Sequence, residues 1–305
     1  MPVSAEARPG HPPAREPVLR RVPAATLTLA VWEWAGEGAP VMLVHATGFH
    51  ARCWDAVVRR LSGLHVFAID MPCHGASEAL EPPFDWTGLA AELGAAIDAL
   101  GLRSAIGVGH SMGGHTLTLA AASRPEAFRS LLLIDPVMVE PKLAERAWAA
   151  LRQSEHPVAR RRRLWESPGQ MIAAFAAREP YSRWDPEVLS DYCRHGLRAR
   201  AEGDFELACR PEHEAAVYTG SHMRDIYRAI PEVRVPVQVI RARDRRSEDS
   251  PWDFSPSPTW ERLASLFPSG TDRQLRERSH FIPMEIPSWT AARIAAIHRG
   301  TEAPL

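Results

Sequence analysis

Cysteine is scarce in this chain, with four among 305 residues, at Cys53, Cys73, Cys193 and Cys209. No two of them form a C-x-x-C pair, so neither a zinc site nor a disulfide framework is indicated. The expectation is four free thiols in a reducing compartment. Surplus charge of either sign is lacking too. The chain has 36 Lys and Arg against 37 Asp and Glu, which leaves no field that would mark a nucleic-acid or acidic-membrane partner. No apolar run approaches the length of a membrane span. The opening MPVSAEARPGHPPAREP has no apolar segment of signal-peptide length, and residues 1–17 read as a loose tail. There is no internal repeat. These absences predict a soluble cytoplasmic protein whose partner is a small molecule. They leave its oligomeric state open.

What is present is an ordinary globular composition, 45% hydrophobic and 24% charged, with material for a large core. Two runs near 18–22 and 26–34 read as opening strands. PVMLVHATGF follows, with a continuous apolar strand at 40–45 ending in a small-residue loop. Residues 51–61 have a helical look, HVFAID at 65–70 is a buried strand, and residues 87–100 carry apolar side chains at helical spacing, stopped by Gly101. RSLLLID at 129–135 and VPVQVIRARD at 235–244 are further strands. TDRQLRERSH at 271–280 reads as the last strand with its exit loop, and residues 288–299 as a closing helix. Alternating strands and helices predict a mostly parallel sheet covered on both faces.

Between 139 and 225 the pattern turns helical and polar, with Trp148, Trp165, Phe175, Tyr181 and Trp184 set among charges and no clear buried strand. Such a block between two α/β portions, 18–138 and 226–305, predicts a helical cap over the sheet edge where open α/β sheets bind ligands. The cap aromatics would hold its helices together and could line an apolar pocket. ARRRRLWE at 159–166 is a basic cluster that reads first as a solvated helix face, with the attraction of an anionic substrate toward the cleft as the alternative.

VGHSMGGHT at 108–116 places Ser111 between a short apolar strand and a Leu- and Ala-rich helix. A Gly-x-Ser-x-Gly pattern becomes chemically meaningful in that context. Gly109 and Gly113 fit a strained turn where strand and helix approach closely, and Gly114 adds clearance. A serine hydroxyl is a weak nucleophile and needs a base, an orienting acid and donors for the oxyanion. His280, in RSHFIPMEIP just after the last strand, is the candidate base. Asp244, ending VQVIRARD, is the preferred acid, with Asp135 in LLLIDP the alternative and Asp249 and Asp253 behind them. The Met112 backbone N–H, at a helix N-terminus, is one expected oxyanion donor. The Thr47 N–H in HATGF is the other, with His45 bracing that loop.

With these residues in view, the chain resembles the α/β-hydrolase superfamily, specifically its cap-bearing serine hydrolases, over about residues 18–298. The resemblance rests on His45-Ala46-Thr47-Gly48, DMPCHGAS at 70–77, GHSMGG at 109–114, RARD at 241–244 and SHFIPMEIP at 279–287. LACRPEHEAAVY at 207–218 also looks like the cap-to-core return of such hydrolases. The resemblance implies Ser111 as nucleophile, His280 as base, Asp244 as acid, the Thr47 and Met112 amides as oxyanion hole, and neither metal nor organic cofactor. Three residues depart from the family pattern: Ala46, Cys73 and Arg241 each stand where glycine is usual. A serine nucleophile argues against haloalkane dehalogenase and epoxide hydrolase relatives, which carry aspartate there. The expected activity is hydrolysis of a carboxylic ester through an acyl-enzyme. Carbon–carbon, lactone and thioester cleavage are alternatives on the same groups, and a non-catalytic ligand-binding module stands outside them.

Overall fold

The computed structural model describes residues 15–143, 156–221, 226–250 and 253–301. Eight strands form one sheet in the order β1-β2-β4-β3-β5-β6-β10-β11. They are β1 Val18–Pro23, β2 Thr28–Trp34, β3 Glu37–Val44, β4 Leu64–Ile69, β5 Ala105–His110, β6 Phe128–Ile134, β10 Val237–Arg241 and β11 Gly270–Gln274. The β1–β2 and β2–β4 pairs are antiparallel, and every pairing from β4 to β11 is parallel.

The central strands are buried on both faces, which is why their sequences read as unbroken apolar runs. Alternation then sorts their side chains. Met42 and Val44 of β3 enter one core with Leu89, Leu93 and Ile97 of helix α2 (Trp86–Ala99), while Val41 and Leu43 enter the other with Val57 of helix α1 (Asp55–Val58). Helix α2 starts where Asp85 accepts hydrogen bonds from the Thr87 and Gly88 N–H groups, a side-chain N-cap. It stops where Gly101 takes φ +64. Helix α3 (Met112–Ala122) follows β5 directly.

The segment between β6 and β10 differs in one respect from its sequence expectation. It carries helices α4 (Pro168–Phe175), α5 (Pro186–His195) and α6 (Pro211–Thr219), and also a small antiparallel sheet of β7 (Leu164–Trp165), β8 (Leu197–Ala199) and β9 (Phe205–Leu207). Strands of two or three residues are too short to show a period of two. Trp165, Phe175, Trp184 and Tyr192 pack together with Phe49 and Phe281 of the sheet portion. Trp148 lies outside the described residues. The expected helix at 51–61 forms as a 3₁₀ turn, Ala51–Trp54, followed by α1. Helices α7 (Ile226–Ala229), α8 (Ile282–Glu285) and α9 (Pro287–Arg299) complete the described chain. All four cysteines are buried and unpaired. Among the described residues no helix is long and apolar enough to cross a membrane.

Candidate active site

Ser111 stands at the junction of β5 and α3 with φ 56 and ψ −119, a backbone conformation costly for a residue with a Cβ. Its neighbours explain how the turn closes. A Cβ on Gly109 would lie 2.5 Å from the Gly113 carbonyl oxygen, and one on Gly113 would run into the Val44 carbonyl. A side chain at either position would push α3 off the sheet.

The Ser111 Oγ lies 3.0 Å from His280 Nε2, and His280 Nδ1 lies 2.7 Å from Asp135 Oδ2. All three residues are buried. Asp135 follows the last residue of β6 and has φ +46, so it too sits in a strained conformation. Four groups hold it there. Its N–H donates to the Ile240 carbonyl at 2.7 Å. Its Oδ1 accepts from the Ala242 N–H at 2.9 Å, the Ser257 hydroxyl at 2.5 Å and the Thr259 hydroxyl at 3.3 Å. His280 is fixed through its backbone as well. Its N–H donates to the Ser255 carbonyl at 2.6 Å, and its carbonyl accepts from His110 Nε2 at 2.9 Å.

Asp244, the residue preferred from sequence, does not reach His280. Strand β6 pairs with β10 so that Ile134 faces Ile240. Asp135 therefore emerges at the sheet edge, whereas Asp244 is four residues beyond that level, where the chain has already turned toward β11. There its side chain is 62% exposed, accepts from Gln274 Nε2 at 2.8 Å and lies 3.8 Å from the Arg241 guanidinium. Arg241 is itself tied to Asp272 by two hydrogen bonds, at 2.7 and 2.9 Å. Asp249 and Asp253 pair with Arg243 at 2.7 and 3.3 Å. The structure thus brings Ser111, His280 and Asp135 together and leaves Asp244 outside.

The loop carrying Thr47 is braced by two histidines. His45 donates from Nδ1 to the Ala46 carbonyl at 2.7 Å and accepts the Met71 N–H on Nε2 at 2.9 Å. His74 donates to the Pro72 carbonyl at 2.8 Å and accepts the Gly48 N–H at 3.0 Å. Burial pushes both imidazoles down to about 3, so each is neutral and its tautomer is fixed by these partners. Thr47 is buried, and its hydroxyl has no hydrogen-bond partner among the described residues. Met112, fully buried, is the first residue of α3.

Ser111, His280 and Thr47 open into a cavity of about 860 Å³ between the sheet and the inserted segment. Most of its wall is apolar and aromatic, including Phe49, Trp86, Trp184 and Phe281. Two charged residues break that wall in its interior. Arg161 Nη1 lies 2.5 Å from Glu214 Oε2, and Arg161 Nη2 donates to the Tyr192 hydroxyl at 2.8 Å. The side chain of Glu214 is 5% exposed and that of Arg161 20%. Burial raises the Glu214 carboxyl, and the guanidinium opposes that shift.

The basic run at 159–166 is therefore not a solvated helix face throughout. It crosses a 3₁₀ turn, Pro157–Arg160, and β7, so its side chains point in several directions. Arg162 covers the Trp165 ring and Arg163 pairs with Glu206 at 2.8 Å, while Arg161 turns into the cavity. Sequence reasoning also missed Ser257, Thr259 and Glu214. The only signal for the first two was a Pro- and Ser-rich loop.

Asp55, Asp191 and His195 present ligand atoms within 4.8 Å of one another. The two carboxylates are neutralised by Arg52 at 2.7 Å and Arg59 at 2.6 Å, so the group ties α5 to α1 through ion pairs and offers a cation no net negative charge.

Residues 41–296 match the model of the Alpha/beta hydrolase family. The chain is 28% identical over 236 residues to a 2-(acetamidomethylene)succinate hydrolase of Mesorhizobium japonicum, covering 75% of this chain and 79% of that protein. It is 29% identical over 181 residues to an (E)-2-((N-methylformamido)methylene)succinate hydrolase of Acinetobacter baylyi, covering 57% and 67%. The solved structure of an E-2-(acetamidomethylene)succinate hydrolase aligns with a TM-score of 0.71 at 20% identity, over 93% of this chain and 100% of that one, which speaks to the fold alone.

Proposed function

This chain belongs to the alpha/beta hydrolase family, and from that premise we propose that it is a serine hydrolase of small or medium acyl compounds. The observation that carries the reading is the continuous chain from Ser111 Oγ through His280 to Asp135, at 3.0 and 2.7 Å, opening into the cavity. In this mechanism His280 Nε2 takes the Ser111 proton as Oγ attacks the acyl carbonyl carbon. Asp135 keeps the other ring proton on Nδ1 and stabilises the imidazolium. The Thr47 and Met112 N–H groups receive the oxyanion. Collapse expels the leaving group, which takes the proton from His280. Water, deprotonated by His280, then attacks the acyl-enzyme and frees Ser111.

Ester cleavage is the first reading. Cleavage of an N-acyl bond is the second, favoured by the two hydrolases of amidomethylene succinates among the relatives. The same groups serve both. Intact mass after treatment with a fluorophosphonate tests the shared chemistry. One adduct is expected on the wild-type protein and none on Ser111→Ala. A folded wild-type protein that stays unlabelled would sink the reading and favour a non-catalytic binding module.

A further inference from the structure

The cavity wall has an interior end that its apolar character does not explain. A guanidinium placed among aromatic rings is costly unless it is paired, and Glu214 and Tyr192 pair it here. Those partners use two of the five guanidinium N–H donors. Among the described residues no other acceptor is hydrogen-bonded to this side chain, which keeps one fifth of its surface exposed. Tyr181 and Tyr218 line the same cavity, the Tyr181 ring 6.0 Å from that of Tyr192 and Tyr218 on the same helix as Glu214, α6. Guanidinium and phenol donors therefore crowd this end, and the one carboxylate there, Glu214, is already committed to Arg161. Surplus donors beside a fixed cation suit a carboxylate, which accepts through two oxygens and matches a guanidinium edge. The ion pair holds the guanidinium in one place before any ligand arrives.

The position of this end also matters. A Cβ on Gly48 would collide with the Glu214 carboxylate, so the pair presses against the residue that follows Thr47. Of the other charged residues around the cavity, Glu179 and Arg245 are solvent-exposed, and Asp253 is half-buried and pairs with Arg243 at 3.3 Å. Arg161 is the cationic side chain on the interior wall.

We propose that the Arg161 end of the cavity binds a carboxylate of the substrate, so that the compound taken by this site is a short acyl chain with its reacting carbonyl at Ser111 and a free carboxylate at Arg161. Tyr192 shares that contact, and Glu214 positions the guanidinium. This assignment rests on the serine-hydrolase reading of Ser111 and adds the substrate class to it.

The test is protection of Ser111 from fluorophosphonate labelling, read as labelling rate against competitor concentration. The competitors are succinamate, glutaramate and adipamate, each with one carboxylate and one neutral carbonyl, beside the corresponding diamide, which has the same length and no carboxylate. For at least one length the monoamide is expected to protect at a concentration tenfold or more below its diamide. That advantage should vanish in Arg161→Gln and in the double variant Arg161→Gln/Glu214→Gln, which leaves no unpaired buried charge and guards against a folding artefact. Labelling without any advantage of monoamide over diamide, or an advantage that survives in the double variant, overturns the assignment while leaving the serine-hydrolase reading intact. No labelling of the folded wild type removes that reading, and the assignment with it.

Discussion

His280 Nδ1 meets Asp135 Oδ2 at 2.7 Å across 145 residues of chain, at the edge of the parallel sheet. Asp135 is fully buried and accepts three further hydrogen bonds on its other oxygen, from Ala242, Ser257 and Thr259. Asp244, on the neighbouring strand's exit loop, faces solvent.

Asp135→Asn is therefore expected to lower kcat/KM on the order of 10³–10⁴-fold, because an amide in that place no longer fixes the His280 tautomer. Asp244→Asn should stay within about twofold, as exposed substitutions away from the reacting groups do. Steady-state kinetics on one chromogenic ester decides this, and equal losses in the two variants would contradict the geometry.

Two glycine substitutions should have opposite signs. Gly113→Ala drives a Cβ into the Val44 carbonyl and is expected to cost about 1–3 kcal/mol or more. Gly88→Ala, on the exposed face of α2 with nothing within 4 Å of the new atom, is expected to add about 0.5–1 kcal/mol. Urea midpoints at constant m-value measure both.

Acid should weaken the fold between pH 6.5 and 3. Burial holds His45 and His74 down from 6.5 to about 3. The unfolded chain takes up their protons near pH 6.5 and the native protein does not. Their contribution is thus complete above about 6.5 and is lost as pH falls, by at most about 1.4 kcal/mol per pH unit each. Asp191, raised by burial to about 6, works the other way, since the native state takes its proton first. Burial lowers five further histidines, His50, His110, His156, His195 and His298, and raises two further carboxyls, Asp55 and Glu214, so the histidines outnumber the opposing groups and leave a net fall in Tm from pH 7 to 4.5. His74→Gln, which can still accept the Gly48 N–H, should reduce that fall, and a level profile in the wild type would contradict the burial of these rings.

The Arg161–Glu214 pair should behave as a unit. Arg161→Met alone strands a buried carboxylate and is expected to cost up to about 3–5 kcal/mol, less whatever solvent reaches the one-fifth-exposed guanidinium site. Arg161→Met/Glu214→Leu should recover most of that loss. Denaturation midpoints of the four proteins in this cycle give the coupling directly. Additive effects would mean that the two charges do not sense one another.

The order of strands and helices was legible because each central strand is buried on both faces and each helix on one. Those constraints write an apolar run or a 3.6-residue period into the chain, as in residues 41–44 and in Leu89, Leu93 and Ile97. The Ser111 turn was legible for a local reason, since its glycines are required by atoms of adjacent segments. His280 could be found because it follows the last strand. The small sheet β7–β9 was not legible, since its strands are shorter than the period that would reveal them.

Sequence by itself determined the alternating α/β order, the nucleophile-type turn at Ser111 and the place of His280, all of which depend on short-range pattern and burial. Its preference for Asp244 over Asp135 does not match the geometry, because both end an apolar strand in the same way and pattern alone cannot rank them. That choice was made by the β6–β10 register, which puts Ile134 beside Ile240, and by Gln274 and Arg241, which draw Asp244 toward β11. It could not tell which arginine of the 159–166 run turns inward, because that depends on Glu214 and Tyr192 arriving from α6 and α5. The contacts of Arg161 with Tyr192 and Glu214 and of His280 with Asp135 join residues 31, 53 and 145 positions apart, and only the closed tertiary structure brings them to one place.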